Sequence, residues 1–79
     1  MKGIINRMSE IQVNDYIEGY GYRSHEITKI RGWVNQIYDD YGKIIYLIKP
    51  DDNWQGLVGN AIFSELGEVV KLENKNRSK

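Results

Sequence analysis

Seventy-nine residues amount to one small domain, since a chain of this size buries only about 60% of its unfolded surface and each large apolar side chain carries weight. Eleven Lys and Arg balance eleven Asp and Glu, and there is no cysteine. This excludes a bulk electrostatic pull toward nucleic acid or an anionic membrane, a disulfide framework, a thiol nucleophile and a thiolate metal site. No apolar run approaches the 18 or so residues of a bilayer span, and Lys2 and Arg7 are not followed by the apolar core of a signal peptide. A cytoplasmic, non-membrane protein is the expectation.

Eleven isoleucines against four leucines, and six tyrosines against one phenylalanine, favour strands, where β-branched and aromatic side chains pack well on a pleated surface. Residues 1–10 read as an N-terminal arm. Ile11 and Val13 alternate with Gln12 and Asn14 and continue toward Tyr16 and Ile17, which predicts a first strand over about 11–18. Gly19-Tyr20-Gly21-Tyr22-Arg23-Ser24 reads as a loop that breaks it. A long second strand is expected from about Glu26 to Tyr38. It carries Ile30, Val34 and Tyr38 on one face, Trp33 and Ile37 on the other, and a bulge, bend or close approach at Gly32.

Asp39-Asp40-Tyr41-Gly42 is a hairpin signal, because Asp starts turns and Gly supplies a left-handed position. Lys43 to Lys49 then reads as a strand buried on both faces, and Pro50 ends it. Two readings stay open for 54–66. Trp54, Leu57, Val58, Ala61, Ile62 and Leu66 form a stripe at helical spacing with Asn53 as cap and Gly67 as stop, which makes the chain α+β. Gly56 and Gly59 inside a helix cost about 1 kcal/mol each. The favoured reading is therefore a fourth strand over 56–63, a tight turn at Ser64-Glu65-Leu66 and a fifth strand over 67–72. The polar tail 73–79 is expected to be disordered.

Five short strands over residues 11–72, with a long first loop, a tight second hairpin and a one-turn connection before the last, resemble the SH3-like small β-barrel. Arg31-Gly32-Trp33-Val34-Asn35-Gln36-Ile37-Tyr38 is similar to the glycine-then-valine strand of KOW-type and Tudor-type barrels. Ala61-Ile62-Phe63-Ser64-Glu65-Leu66 followed by Val69-Val70-Lys71-Leu72 is similar to the end of small bacterial and phage barrels. Asp52-Asn53-Trp54-Gln55-Gly56-Leu57-Val58-Gly59 is similar to the tryptophan-containing strand of signalling SH3 domains, whose proline-binding tyrosine pair is missing here. The resemblance implies an all-β single barrel that binds a macromolecule, in the style of phage or mobile-element accessory and inhibitor proteins.

The chemistry-bearing residues point away from an enzyme. His25 is the lone histidine and lies outside any His-Glu-x-x-His spacing. None of the serines sits in a Gly-x-Ser-x-Gly elbow, and neighbours Ser24 and His25 point apart in extended chain. Asp39-Asp40 and Asp51-Asp52 lack a calcium-loop spacing, and Gly19-x-Gly21 lacks the third glycine of a phosphate cradle. No catalytic residue, metal or cofactor is expected. A barrel would bring Tyr20, Tyr22, Arg23 and Tyr41 to one end, with Asp39, Asp40 and Trp54 nearby, and aromatics with an arginine are the composition of protein-contact hot spots. A protein partner is the first expectation. Nucleic acid on a Lys29, Arg31 and Lys43 face with stacking tyrosines is the alternative, and pairing with a second copy through an open sheet edge is a further expectation.

Overall fold

The computed structural model describes residues 11–56 and 59–72. The expected N-terminal arm, the tail 73–79, Leu57 and Val58 lie outside them. The described residues form one five-stranded antiparallel sheet: β1 (Tyr16–Arg23), β2 (Glu26–Asp40), β3 (Lys43–Pro50), β4 (Ala61–Phe63) and β5 (Val70–Lys71). Spatial order is β4-β3-β2-β1-β5, and the two edge strands are not paired with each other. A single 3-10 turn, Ser64–Leu66, links β4 to β5, as expected for that segment. No α-helix occurs among the described residues, so the α+β alternative for 54–66 falls. The fourth strand is shorter than its expected 56–63, and the fifth shorter than 67–72.

The core is the inner face. Ile17, Ile30, Val34, Tyr46, Ile48, Ile62 and Val69 are each at most 3% exposed, and full burial of such side chains contributes roughly 1.5–3 kcal/mol each. Burial pushes the Tyr46 hydroxyl pKa up. β2 is the shared strand: its first half pairs with β1, from Arg23↔Glu26 to Tyr16↔Trp33, and its second half pairs with β3, from Gly32↔Pro50 to Asp40↔Lys43.

Three corrections to the sequence reading follow, and each comes from a neighbour distant in sequence. The first strand starts at Tyr16 and runs through the segment read as a loop. Gly19 and Gly21 are strand residues over which β4 passes: a Cβ on Gly21 would stand 2.0 Å from the Ala61 carbonyl oxygen, and one on Gly19 would stand 2.4 Å from Ile62 Cγ2. Glycine is there to let two backbones meet.

The second correction concerns β2. The close approach at Gly32 is real, with Lys49 O 2.3 Å from where a Cβ would be, but the bulge lies further on. Val34 pairs with Ile48 and Gln36 with Leu47, which leaves Asn35 over. One extra residue inverts the alternation beyond it. Ile37 therefore continues the inner face of Val34, and Tyr38 moves to the outer face, where it is 48% exposed.

The third correction is that β3 is not buried on both faces. Tyr46 and Ile48 are inside, while Ile45 and Leu47 are half-exposed on the outside. Among the aromatics, Tyr46 is in the core. Trp33 and Phe63 are only partly buried, and Trp33 stacks on Tyr16 with ring centroids 5.0 Å apart.

Candidate functional site

β1 and β4 lie side by side without pairing, and the outside of that seam forms an open groove of about 810 Å³. Its construction follows from strand alternation. The Ile48 N–H donates to Asn60 O at 2.9 Å, so residues 48 and 60 form a hydrogen-bonded pair and Tyr46 and Ile62 the next. The main-chain groups of Ala61 and Phe63 therefore face away from β3, and their side chains stand on the outer face beside Leu47. Tyr22 approaches from β1 and meets Phe63 edge to face, with ring centroids 5.8 Å apart at 63°. Leu47, Ile48 and Ala61 complete the apolar lining, and Ser24, His25, Gly59 and Asn60 supply the polar end. Within that end the Asn60 side-chain oxygen is shielded from solvent and has no hydrogen-bond partner among the described residues. An unmet buried acceptor costs about 1–3 kcal/mol.

Ser24 and His25 form the β1–β2 turn with φ of 55° and 68°. Positive φ at both central residues is the geometry that suits the twist of a two-residue hairpin, and the usual sequence for it is Asn-Gly. Histidine is among the non-glycine residues enriched at positive φ, and serine is not.

Arg23, just before the turn, is 8% exposed. Its guanidinium donates to Asp52 Oδ2 at 2.7 Å and to Gly59 O at 2.9 Å, and its carbon centre stands 4.6 Å from the Trp54 ring centroid. Asp52 also accepts the Trp54 N–H at 3.3 Å. The hydrogen bonds from Arg23 hold the Asp52 carboxyl below its ordinary pKa. Arg23 thus ties Asp52, Trp54 and Gly59 to β1, and Gly59 lines the groove. Asp51, next to Asp52 in the chain, accepts from the Tyr16 hydroxyl, and burial above all raises the Tyr16 pKa.

The residues expected to gather at one aromatic end do not converge. Tyr22 is in the groove, Tyr20 is half-buried against Gly67, and Arg23 and Trp54 make the internal brace. Asp39, Asp40 and Tyr41 sit at the opposite end of the fifteen-residue β2, because the first connection is a two-residue turn and not a long loop. Tyr41 is 99% exposed there.

The basic residues are occupied. Arg31 and Lys29 both pair with Glu18, at 2.9 and 3.7 Å, and Lys43 pairs with Glu65 at 3.5 Å. The hydrogen bond to Glu18 raises the Arg31 pKa further. Sequence reasoning missed Leu47, Ala61 and Phe63 as surface residues, Asn60 altogether, and the role of Ser24 and His25 as a groove wall. Nothing local marks the first group: the apolar run 44–48 reads as buried on both faces, and Ala61 and Phe63 take their face from pairing with Leu47 and Ile45.

Comparison with family models, curated proteins and solved structures finds no match. The groove must therefore be read on its chemistry alone. No helix among the described residues is long and apolar enough to cross a membrane.

Proposed function

We propose that this chain is a non-catalytic protein-binding module of the SH3-like small-barrel type, and that its partner sits in the groove between β1 and β4. The strand order β4-β3-β2-β1-β5, the long shared second strand and the 3-10 turn before the last strand support the barrel reading. The observation that carries the binding reading is the groove itself, where the Tyr22–Phe63 aromatic pair stands at the surface beside Leu47 and Ala61. Clefts that bind are lined mainly by apolar and aromatic groups with a few placed polar ones.

The nucleic-acid alternative has weaker support, because Lys29, Arg31 and Lys43 each face a carboxylate and such pairs release few counterions on binding phosphate. The experiment is affinity capture on the immobilised chain with and without nuclease, repeated with Tyr22→Ala and Tyr41→Ala. A nuclease-resistant protein lost by Tyr22→Ala and kept by Tyr41→Ala is expected. Capture abolished by nuclease, or unaffected by Tyr22→Ala, overturns the reading.

A further inference from the structure

The second half of β2 has an edge that the described residues leave open. β1 covers β2 as far as Trp33, and the chain before β1 adds one more rung. The Asn14 N–H donates to Val34 O at 2.8 Å, and the Val34 N–H donates to Asp15 O at 2.9 Å. Beyond Val34 no described strand lies on that side. The two-residue turn at Tyr41-Gly42 makes Asp40 and Lys43 a hydrogen-bonded pair, and with them Tyr38 and Ile45, and Gln36 and Leu47. The N–H and C=O groups of Ile37 and Asp39 therefore point off the free edge. Ile37 is 38% exposed on the inner face, and Ile44, opposite Asp39 on β3, is only partly buried. Asp39 and Asp40 have no ion-pair partner among the described residues. An unpaired edge with an apolar flank is a template for a further strand.

The chain itself has a segment of matching character that starts beside this edge. Ile11 is buried in the core cluster that includes Val34, and the Asp15 N–H donates to Gln12 O at 3.0 Å. Residues 1–10 thus join the described structure one turn away from the last covered rung. The stretch from Val34 to Asp39 covers about 17 Å of strand, and ten extended residues cover about 33 Å. Entry near Val34 also fixes the direction, because a strand that ends there after passing Asp39 runs antiparallel to β2. Strand alternation puts Ile4 and Met8 on one side of such a strand and Ile5 and Arg7 on the other. The inner side of the edge offers Ile37, Ile44 and Asp39, and the outer side offers Tyr38 and Asp40. In either register apolar groups meet apolar groups, and Arg7 comes beside an unpaired carboxylate.

We propose that residues 1–10 lie antiparallel on the β2 edge of their own chain as a sixth strand, hydrogen-bonded to Ile37 and Asp39, with Ile4, Ile5 and Met8 covering Ile37, Ile44 and Tyr38. The segment then closes an edge on which another chain would otherwise pair. This goes beyond the groove reading and does not depend on it.

The test is amide hydrogen exchange of the full chain read by NMR, with the ladder amides of Tyr38 and Ile45 as references. The Ile37 and Asp39 amides are expected to exchange within about tenfold of those references. In Ile4→Asn/Met8→Asn they are expected to exchange at least about a hundredfold faster than in the wild type, while Ile17 and Ile30 keep their protection. Cross-peaks from the Ile37 amide to Ile4, Ile5 or Met8, recorded on an equal mixture of 15N-labelled and 13C-labelled chains, separate one chain from two. They are expected to be absent from the mixture and present in uniformly labelled protein.

Wild-type Ile37 and Asp39 amides that exchange as fast as an unfolded chain would overturn the inference, and so would protection that survives in the double variant. Cross-peaks in the mixed sample would overturn it too, by placing a second copy's segment on the edge. Should the double variant unfold, the wild-type exchange rates and the cross-peaks decide the matter.

Discussion

The two hairpin turns of this protein have the same backbone and opposite chemistry. At the β2–β3 turn, Tyr41 and Gly42 take φ of 55° and 87°, and the Gly42 N–H is bonded to Asp39 Oδ1 at 2.8 Å. Glycine takes the second position at no steric cost, and Asp39 closes the loop from outside. At the β1–β2 turn, Ser24 and His25 take the same geometry without glycine or asparagine, and Arg23 braces the chain from behind. Each turn holds a non-glycine residue at positive φ, Tyr41 in one and Ser24 with His25 in the other. They differ in the glycine and the Asp39 closure, and the turn that has neither lines the groove. Where local preference and observed structure conflict in a small domain, function is the first explanation to test.

The comparison is broken most forcefully at the glycines of the two ends. Gly21→Ala places a methyl 2.0 Å from the Ala61 carbonyl oxygen, which backbone cannot yield without moving β4. A loss of about 3 kcal/mol or more is expected in urea denaturation. Gly42→Ala meets nothing within 4 Å, so only its positive φ opposes the change and about 1 kcal/mol is expected. Equal losses at the two sites would mean that β1 and β4 do not press together as described.

Next in size is the brace. Arg23→Leu removes three hydrogen bonds, two to Asp52 and one to Gly59 O, and the stacking on Trp54, and about 2–3 kcal/mol is expected. The pH dependence sharpens this. Arg23 holds the Asp52 carboxyl below its ordinary value of 3.8, so the pair stabilises the fold fully above about pH 4 and loses that contribution as pH falls through the lowered value. Asp52 is half-exposed, so the acid effect is modest. The gap in denaturation midpoint between wild type and Arg23→Leu should narrow as pH falls from 6 toward about 2, and a gap that stays constant over that range would contradict the assignment.

The smallest effect belongs to the tip of the other hairpin. Tyr41 is 99% exposed, and Tyr41→Ser should leave stability within about 0.5 kcal/mol of wild type and leave partner capture intact. A large loss of capture would move the binding surface to Asp39, Asp40 and Tyr41.

The same contrast explains what the sequence made legible. The β2–β3 turn could be read because Asp39 and Gly42 announce it, and Pro50 marks the end of β3. The turn at 64–66 and the all-β character were legible for similar local reasons. Gly19 and Gly21 misled, since a glycine that yields room to another strand looks the same as one that bends a loop. The partner responsible, Ala61–Ile62, lies some forty residues away.

The bulge at Asn35 carried no local mark, so the outer placement of Tyr38 stayed hidden, while the continuous apolar run of β3 hid the outer placement of Leu47 and the β3–β4 register hid that of Phe63, and with them the groove. Tyr22 was identified as a surface aromatic from its composition and setting. Ser24 and His25 were set aside as catalytic residues, and Asn60 was passed over, because their shared position exists only once β1 meets β4.

The most direct test of the account is an amide chemical-shift titration of the full chain with the captured partner. Shifts confined to Tyr22–Glu26, Leu47–Ile48 and Gly59–Phe63, with Asp39–Lys43 unmoved, are the predicted result. Shifts centred on Asp39–Lys43, or on Lys29 and Arg31, with the groove residues silent, would contradict it.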